Sequence, residues 1–121
     1  MTPDELKTRT KHFALRIIKL VAALPKSVEG RAIANQLVRS GTSVAANYRA
    51  ACRARSKTEF IAKMGVVLEE ADETQLWLEL IIEAKLIPAK RAQLLLDEAN
   101  ELVAIFVAAR KSAAPNLKSA I

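Results

Sequence analysis

The sequence predicts an all-α fold, an antiparallel up-down bundle of four helices. Three observations carry this expectation. The composition is 51% hydrophobic with only three Gly and four Pro in 121 residues, and Ala, Leu, Glu, Lys and Arg dominate, which favours helix over sheet and argues against disorder. Four segments carry apolar residues at helical spacing. The connections between them are only a few residues long, which forces neighbouring helices to run antiparallel. A chain of this length buries roughly two-thirds of the surface its unfolded form would expose, enough for one core. There is no internal repeat, domain linker or low-complexity stretch, and the expected layout is a bundle over residues 1–112 followed by a flexible tail over 113–121.

The first helix is expected to open with Thr2 as N-cap, Pro3 at the first helical position and Glu5 completing a capping box. Phe13, Ile17, Leu20, Val21 and Leu24 form its core stripe, and Pro25 is expected to end it, because the residue before a proline is pushed out of the α region. The second helix is expected from after Ser27 to about Ala54, with Ile33, Leu37, Ser40, Val44, Asn47 and Ala51 inward. Gly41 is its weak point and a candidate kink. The third begins at a second capping box, Ser56 with Glu59, carries Phe60, Met64, Val67, Ala71, Leu78 and Ile81, and is expected to end near Leu86. Pro88 at a first helical position opens the fourth, whose stripe is Leu95, Ala99, Leu102 and Phe106; Arg110 and Lys111 suit its negative C-terminal end.

Cys52 is the only cysteine, so the chain builds neither an intramolecular disulfide nor a Cys-rich metal site. Met1-Thr2-Pro3-Asp4-Glu5 has acid where a secretory signal needs positive charge, and no apolar run approaches the ~20 residues that span a bilayer. The expectation is a cytoplasmic protein with no membrane role. The formal charge of +6 favours acidic partners, RNA and DNA among them. It is unevenly spread: residues 1–57 hold 12 Lys and Arg against 3 Asp and Glu, whereas residues 58–121 hold 7 against 10.

On an ideal second helix Arg31, Arg39, Arg49 and Arg53 fall in one narrow sector opposite the apolar stripe. Such a ladder can grip phosphates, since a guanidinium offers two parallel hydrogen bonds. The alternative is a solvated face, or arginines paired with Glu69, Asp72, Glu73 or Glu79. The first helix adds a basic row of Arg9, His12, Arg16 and Lys19 at spacings of three and four. Gln36, Ser40, Ser43 and Asn47 make a polar seam beside the core, whose expected role is structural: buried polar groups must be hydrogen-bonded and so fix helix register and oligomeric state.

Catalytic and metal chemistry find no matching pattern. The string Gly41-Thr42-Ser43-Val44-Ala45 lacks the last glycine of a nucleophile elbow and lies in a helix. His12 stands in a basic row, zinc needs three or four convergent ligands, and di-metal bundles need Glu-x-x-His pairs that are absent, so the expectation is no metal and no cofactor. Glu69, Asp72, Glu73, Glu79 and Glu83 on the third helix are expected to answer the arginines electrostatically. Trp77 and Tyr48 are lone aromatics, too few for a base-stacking platform and expected in the core or an interface.

Leu24-Pro25-Lys26-Ser27, the run from Gln36 through Arg39-Ser40-Gly41-Thr42-Ser43-Val44-Ala45-Ala46-Asn47 to Arg49, then Ser56, Glu59-Phe60 and Glu69-Glu70-Ala71 resemble the family of small four-helix-bundle proteins encoded in intervening sequences of bacterial large-subunit ribosomal RNA genes. The resemblance covers about residues 10–105. It implies a bundle assembled as a ring-like homopentamer with no known catalytic activity. A related branch, the accessory variability determinant of diversity-generating retroelements, is similar in fold; it implies nucleic-acid binding through a basic surface beside a nucleic-acid enzyme, a reverse transcriptase. Where many relatives carry Glu soon after the Asn, this chain has Arg49 and Ala50.

Two functions of different class follow. One is a non-enzymatic oligomer whose basic surface, Arg9, Arg16, Lys19, Arg31, Arg39, Arg49 and Arg53, binds RNA or DNA by backbone charge. The other is a protein-interaction scaffold with no nucleic-acid role, in which apolar side chains off the main stripes, Val38, Ala45, Leu76, Trp77 and Leu80, pack on identical subunits or another protein.

Overall fold

A computed structural model of the chain describes residues 1–114. Four helices run up and down: α1 (Pro3–Val21), α2 (Val28–Cys52), α3 (Lys57–Glu83) and α4 (Ala89–Ala113). There is no strand among the described residues. Consecutive helices pack closely, and the seam between α1 and α4 is the sparsest in the bundle. The part of the expected tail beyond Ala114 lies outside the described residues, and Ala113 itself is the last residue of α4.

The helices start where local chemistry offers an acceptor. The Thr2 hydroxyl accepts from the Glu5 N–H at 3.1 Å while the Glu5 carboxylate accepts from the Thr2 N–H, the full reciprocal box. Ser27 caps α2 by accepting from the Gly30 N–H at 3.1 Å. Ser56 caps α3 in the same way, but the Glu59 carboxylate reaches the N–H of Arg55 rather than that of the cap residue, so this box is only half formed. Pro88 is the N-cap of α4 and not its first helical residue, and it leaves the start of α4 without a side-chain cap.

Two helices stop earlier than expected. α1 ends at Val21, four residues before Pro25: Ala23 and Leu24 donate back to the carbonyls of Leu20 and Val21, a tightened turn that swings Leu24 into the core. The Pro25 carbonyl is then brought so near Gly30 that a Cβ there would lie 2.1 Å from its oxygen. α3 ends at Glu83, three residues before Leu86, because Lys85 takes a left-handed conformation with φ of 55°. The N–H groups of Leu86 and Lys85 donate to the carbonyls of Ile81 and Ile82, so the chain closes in a Schellman turn with lysine where glycine is usual.

The core is the expected set of stripes with additions. Phe13, Ile17, Leu20, Leu37, Val44, Met64, Val67, Ala71, Leu78, Ile81, Leu95, Ala99, Leu102 and Phe106 are all buried. Burying each of the larger ones contributes about 1.5–3 kcal/mol. Ile33 and Phe60 sit at the margin, half-buried. Tyr48 is buried and stacks on Phe106 with ring centroids 5.9 Å apart; burial and the neighbouring Cys52 raise its phenol above the usual tyrosine range. Trp77 is half-buried and donates its indole N–H to Glu73 at 3.3 Å.

α2 runs unbroken through Gly41, which is buried at the crossing with α1. A Cβ at Gly41 would lie 2.9 Å from both Cγ1 and Cγ2 of Ile17, a fully buried β-branched side chain with little rotameric freedom. The glycine is there to let two helices approach. At Gly65 a Cβ would find Arg110 at 3.6 Å, an ordinary contact. Thermal or urea unfolding should therefore separate the two sites: Gly41→Ala loses about 1–3 kcal/mol through overpacking, whereas Gly65→Ala gains up to ~1 kcal/mol from helix propensity. A stabilising Gly41→Ala would show that the crossing has room.

Candidate nucleic-acid interface

The basic residues of the first two helices fall into two groups according to whether the structure supplies a carboxylate. Arg9 is consumed. Its Nε and Nη2 donate to the two carboxylate oxygens of Glu98 on α4 at 2.8 and 2.7 Å, and Glu101 stands 3.6 Å away. The hydrogen bond from Arg9 pulls the Glu98 carboxyl below its ordinary range, against the opposing effect of burial, with the charge of Arg16 helping. Arg9 in turn is held charged by Glu98.

Arg39 is consumed as well. Its Nη1 donates to Glu70 at 3.2 Å and its Nη2 to Glu73, both on α3. The Arg39 hydrogen bond lowers the Glu73 carboxyl, and the Trp77 indole adds to this. The ladder expected on α2 is therefore broken at its middle: Arg39 is spent on a neighbouring helix, as the ion-pair alternative foresaw for Glu73, while Arg31, Arg49 and Arg53 remain exposed and make no ion pair with any described residue. Arg16 is half-buried and lines a groove between α1 and α4 with Lys19, Arg91 and Leu94; the Arg91 guanidinium donates to the Lys19 carbonyl at 3.3 Å. His12 is exposed on α1.

The fold adds to this surface three residues that stand outside the basic rows of the sequence. Lys7, Thr8 and Lys11 lie on the flank of α1 that faces α2, and with Arg49 and Arg53 they line a groove of about 220 Å³. The signal was available in the antiparallel register, since the start of α1 must lie beside the end of α2. Among the described residues no carboxylate lines this groove, and exposed Asp4 approaches Lys7 at 3.6 Å.

The polar seam divides. Ser40 is fully buried and donates to the Leu37 carbonyl; the hydroxyl of Thr74 on α3, also fully buried, has its one hydrogen within reach of both the Ser40 hydroxyl at 2.9 Å and the Glu70 carbonyl at 2.8 Å. Ser43 and Asn47 are half-buried and bond each other within α2, the Asn47 amide donating to the Ser43 hydroxyl at 2.7 Å. Gln36 is exposed and makes no side-chain hydrogen bond among the described residues. Thr74 was missed because it is polar, although it stands three residues after Ala71 and four before Leu78. Glu69, Asp72, Glu79 and Glu83 are exposed and make no ion pair among the described residues, so of the acidic face only Glu73 answers an arginine.

Among the described residues no group of three or more His, Cys, Asp or Glu side chains converges as a metal site would require, and no helix is long and apolar enough to cross a membrane.

Comparison with known proteins agrees with this architecture. The family model described as 23S rRNA-intervening sequence protein matches residues 5–108. A crystal structure from Bacteroides thetaiotaomicron, of a protein with unknown function from the S23 ribosomal protein family, is similar at 32% identity and a TM-score of 0.84, covering 92% of this chain and 99% of that one. No curated protein matches the chain.

The Arg9–Glu98 bridge ties α1 to α4 across the sparsest seam and yields a pH-dependent expectation. Because the folded carboxyl titrates below its unfolded value, its contribution is fully present above the unfolded value and is lost as pH falls through the folded one. Glu98→Gln should cost about 1 kcal/mol at neutral pH. The gap from the native chain should close below about pH 4, where the unfolded carboxyl protonates. Unfolding curves across pH with a constant gap would contradict the assignment.

Proposed function

The chain belongs to the family of 23S rRNA-intervening sequence proteins, and from its surface we propose that it is a non-enzymatic, self-associating bundle that holds RNA or DNA by the phosphate backbone. The observation that carries this reading is the set of cations left over once the ion pairs are made. Lys11, Arg31, Arg49 and Arg53 stand exposed on α1 and α2 without a carboxylate partner among the described residues. Like charges gathered on one side repel one another, and a polyanion relieves that repulsion while releasing its own counterions. A scarcity of aromatic groups favours backbone charge over base stacking as the mode of recognition.

Self-association draws support from apolar side chains that the single chain leaves in water. Leu15 and Ile18 on α1, Val66, Leu76 and Leu80 on α3, and Leu94 and Val107 on α4 are all exposed. The ring-like homopentamer is the assembly that the family resemblance implies, and a nucleic-acid enzyme is the additional partner that the retroelement branch suggests. A non-catalytic role is supported by Ser43, whose hydroxyl is bound to Asn47 inside α2, and by a lone histidine standing exposed on α1.

The exposed Leu76 and Leu80 beside half-buried Trp77 also favour the scaffold reading, in which protein contacts are the whole function. Fluorescence anisotropy with labelled duplex and single strands, joined to light scattering, separates the two. Four phosphate contacts predict an affinity that falls about 50- to 150-fold between 50 and 200 mM salt. Arg49→Glu with Arg53→Glu should abolish binding and leave the oligomer intact. Loss of the oligomer in that variant favours the scaffold; absence of binding to either nucleic acid at low salt rejects the polyanion reading; a mass of 13.2 kDa rejects self-association.

A further inference from the structure

We propose that the groove between the start of α1 and the end of α2 is a seat for a single phosphate monoester, and that this seat rather than an extended arginine ladder is where the protein takes hold of its ligand. The inference rests on the polyanion reading and narrows it to one site and one chemical group. Four cations converge from two helices: Lys7 and Lys11, one turn apart on α1, and Arg49 near the end of α2 with Arg53 at its C-cap, with Thr8 on α1 between the lysines. The surface they line is concave, about 220 Å³, room for one phosphate and the first atoms attached to it. On the helix seams, by contrast, arginines are neutralised: Arg9 and Arg39 each have two carboxylates within reach. Here four cations are brought together, and among the described residues they make one ion pair, between Lys7 and the almost fully exposed Asp4 at 3.6 Å.

The charge and shape favour a monoester over a diester. An internal backbone phosphate carries one negative charge on two free oxygens. A monoester carries about −1.5 to −2 at neutral pH and offers three acceptor oxygens. Two forked guanidiniums approaching from α2 and two ammonium groups from α1 supply donors for all three, with arginine able to bind two of them at once. The ligand is thus either the phosphorylated end of a nucleic acid strand or a free phosphorylated sugar or nucleotide. The other basic groove, between α1 and α4, is floored by Leu20, Leu94 and Leu95, and Arg16 there already acts on Glu98.

The test compares one short oligonucleotide, labelled at its 3′ end, with a 5′-phosphate and with a 5′-hydroxyl. A parallel arm follows the melting temperature with added ribose 5-phosphate. The strand end is the ligand if the phosphorylated form binds about fivefold more tightly, the factor that one extra unit charge at contact distance supplies near solvent. That preference must vanish in Arg49→Gln with Arg53→Gln, and separately in Lys11→Gln, while surviving in Arg31→Gln, which changes an arginine outside the groove. A free phosphate ester is the ligand if only ribose 5-phosphate acts, raising the melting temperature saturably through the same residues. Equal binding of the two strands with no ribose 5-phosphate effect overturns the seat, and so does a 5′-phosphate preference that survives in the groove variants. Neither of those results touches the polyanion reading. Failure of both strands to bind at low salt removes that reading, and the ribose 5-phosphate arm then decides the seat alone.

Discussion

The close crossing of α1 over α2 at Ile17 and Gly41 is the constraint from which the useful surface follows. With no Cβ at Gly41, the fully buried Ile17 side chain settles directly against the backbone of α2, and the two antiparallel helices are locked in register. Six to twelve residues from that point, toward the start of α1 and the end of α2, Lys7 and Lys11 come to lie beside Arg49 and Arg53. A bulkier residue at the crossing would push the helices apart or slide them, and the cations would no longer share a groove. Packing in the middle of the hairpin thus sets the electrostatics at its end.

The charges of the bundle are sorted by the same geometry. Helix seams carry paired groups: Arg9 with Glu98 joins α1 to α4, and Arg39 with Glu70 and Glu73 joins α2 to α3. The first is partly buried and bidentate and so contributes to holding the sparse seam shut, whereas the second, largely exposed, is screened by solvent and salt. Faces away from the seams carry unpaired groups, basic along α1 and α2 and acidic along α3. A net charge of +6 is therefore misleading as a uniform property; the free positive charge is concentrated on one hairpin.

What the sequence discloses here is what depends on near neighbours. The caps at Thr2, Ser27 and Ser56 and the core stripes of all four helices follow from residues three or four apart. Helix ends were less legible where the determinant was tertiary: α1 stops before Pro25 because Leu24 has a place in the core, and α3 stops at a lysine in a conformation usually left to glycine. Gly41 read as a weakness because its value lies in what another helix brings against it. The candidate site was half legible. Arg49 and Arg53 share a helix face by arithmetic, but that Arg9 is spent on a residue 89 positions away, or that Lys7 and Lys11 complete a groove, requires the packed bundle.

Whether the exposed cations of α1 and α2 hold the polyanion is decided by measuring acylation rates of individual lysines by mass spectrometry with and without a bound oligonucleotide. Lys7 and Lys11 should be protected while Lys63, on α3 beside Glu59, reacts at an unchanged rate. Protection of Lys63 with Lys7 and Lys11 left reactive would place the ligand elsewhere and contradict a hold by these cations.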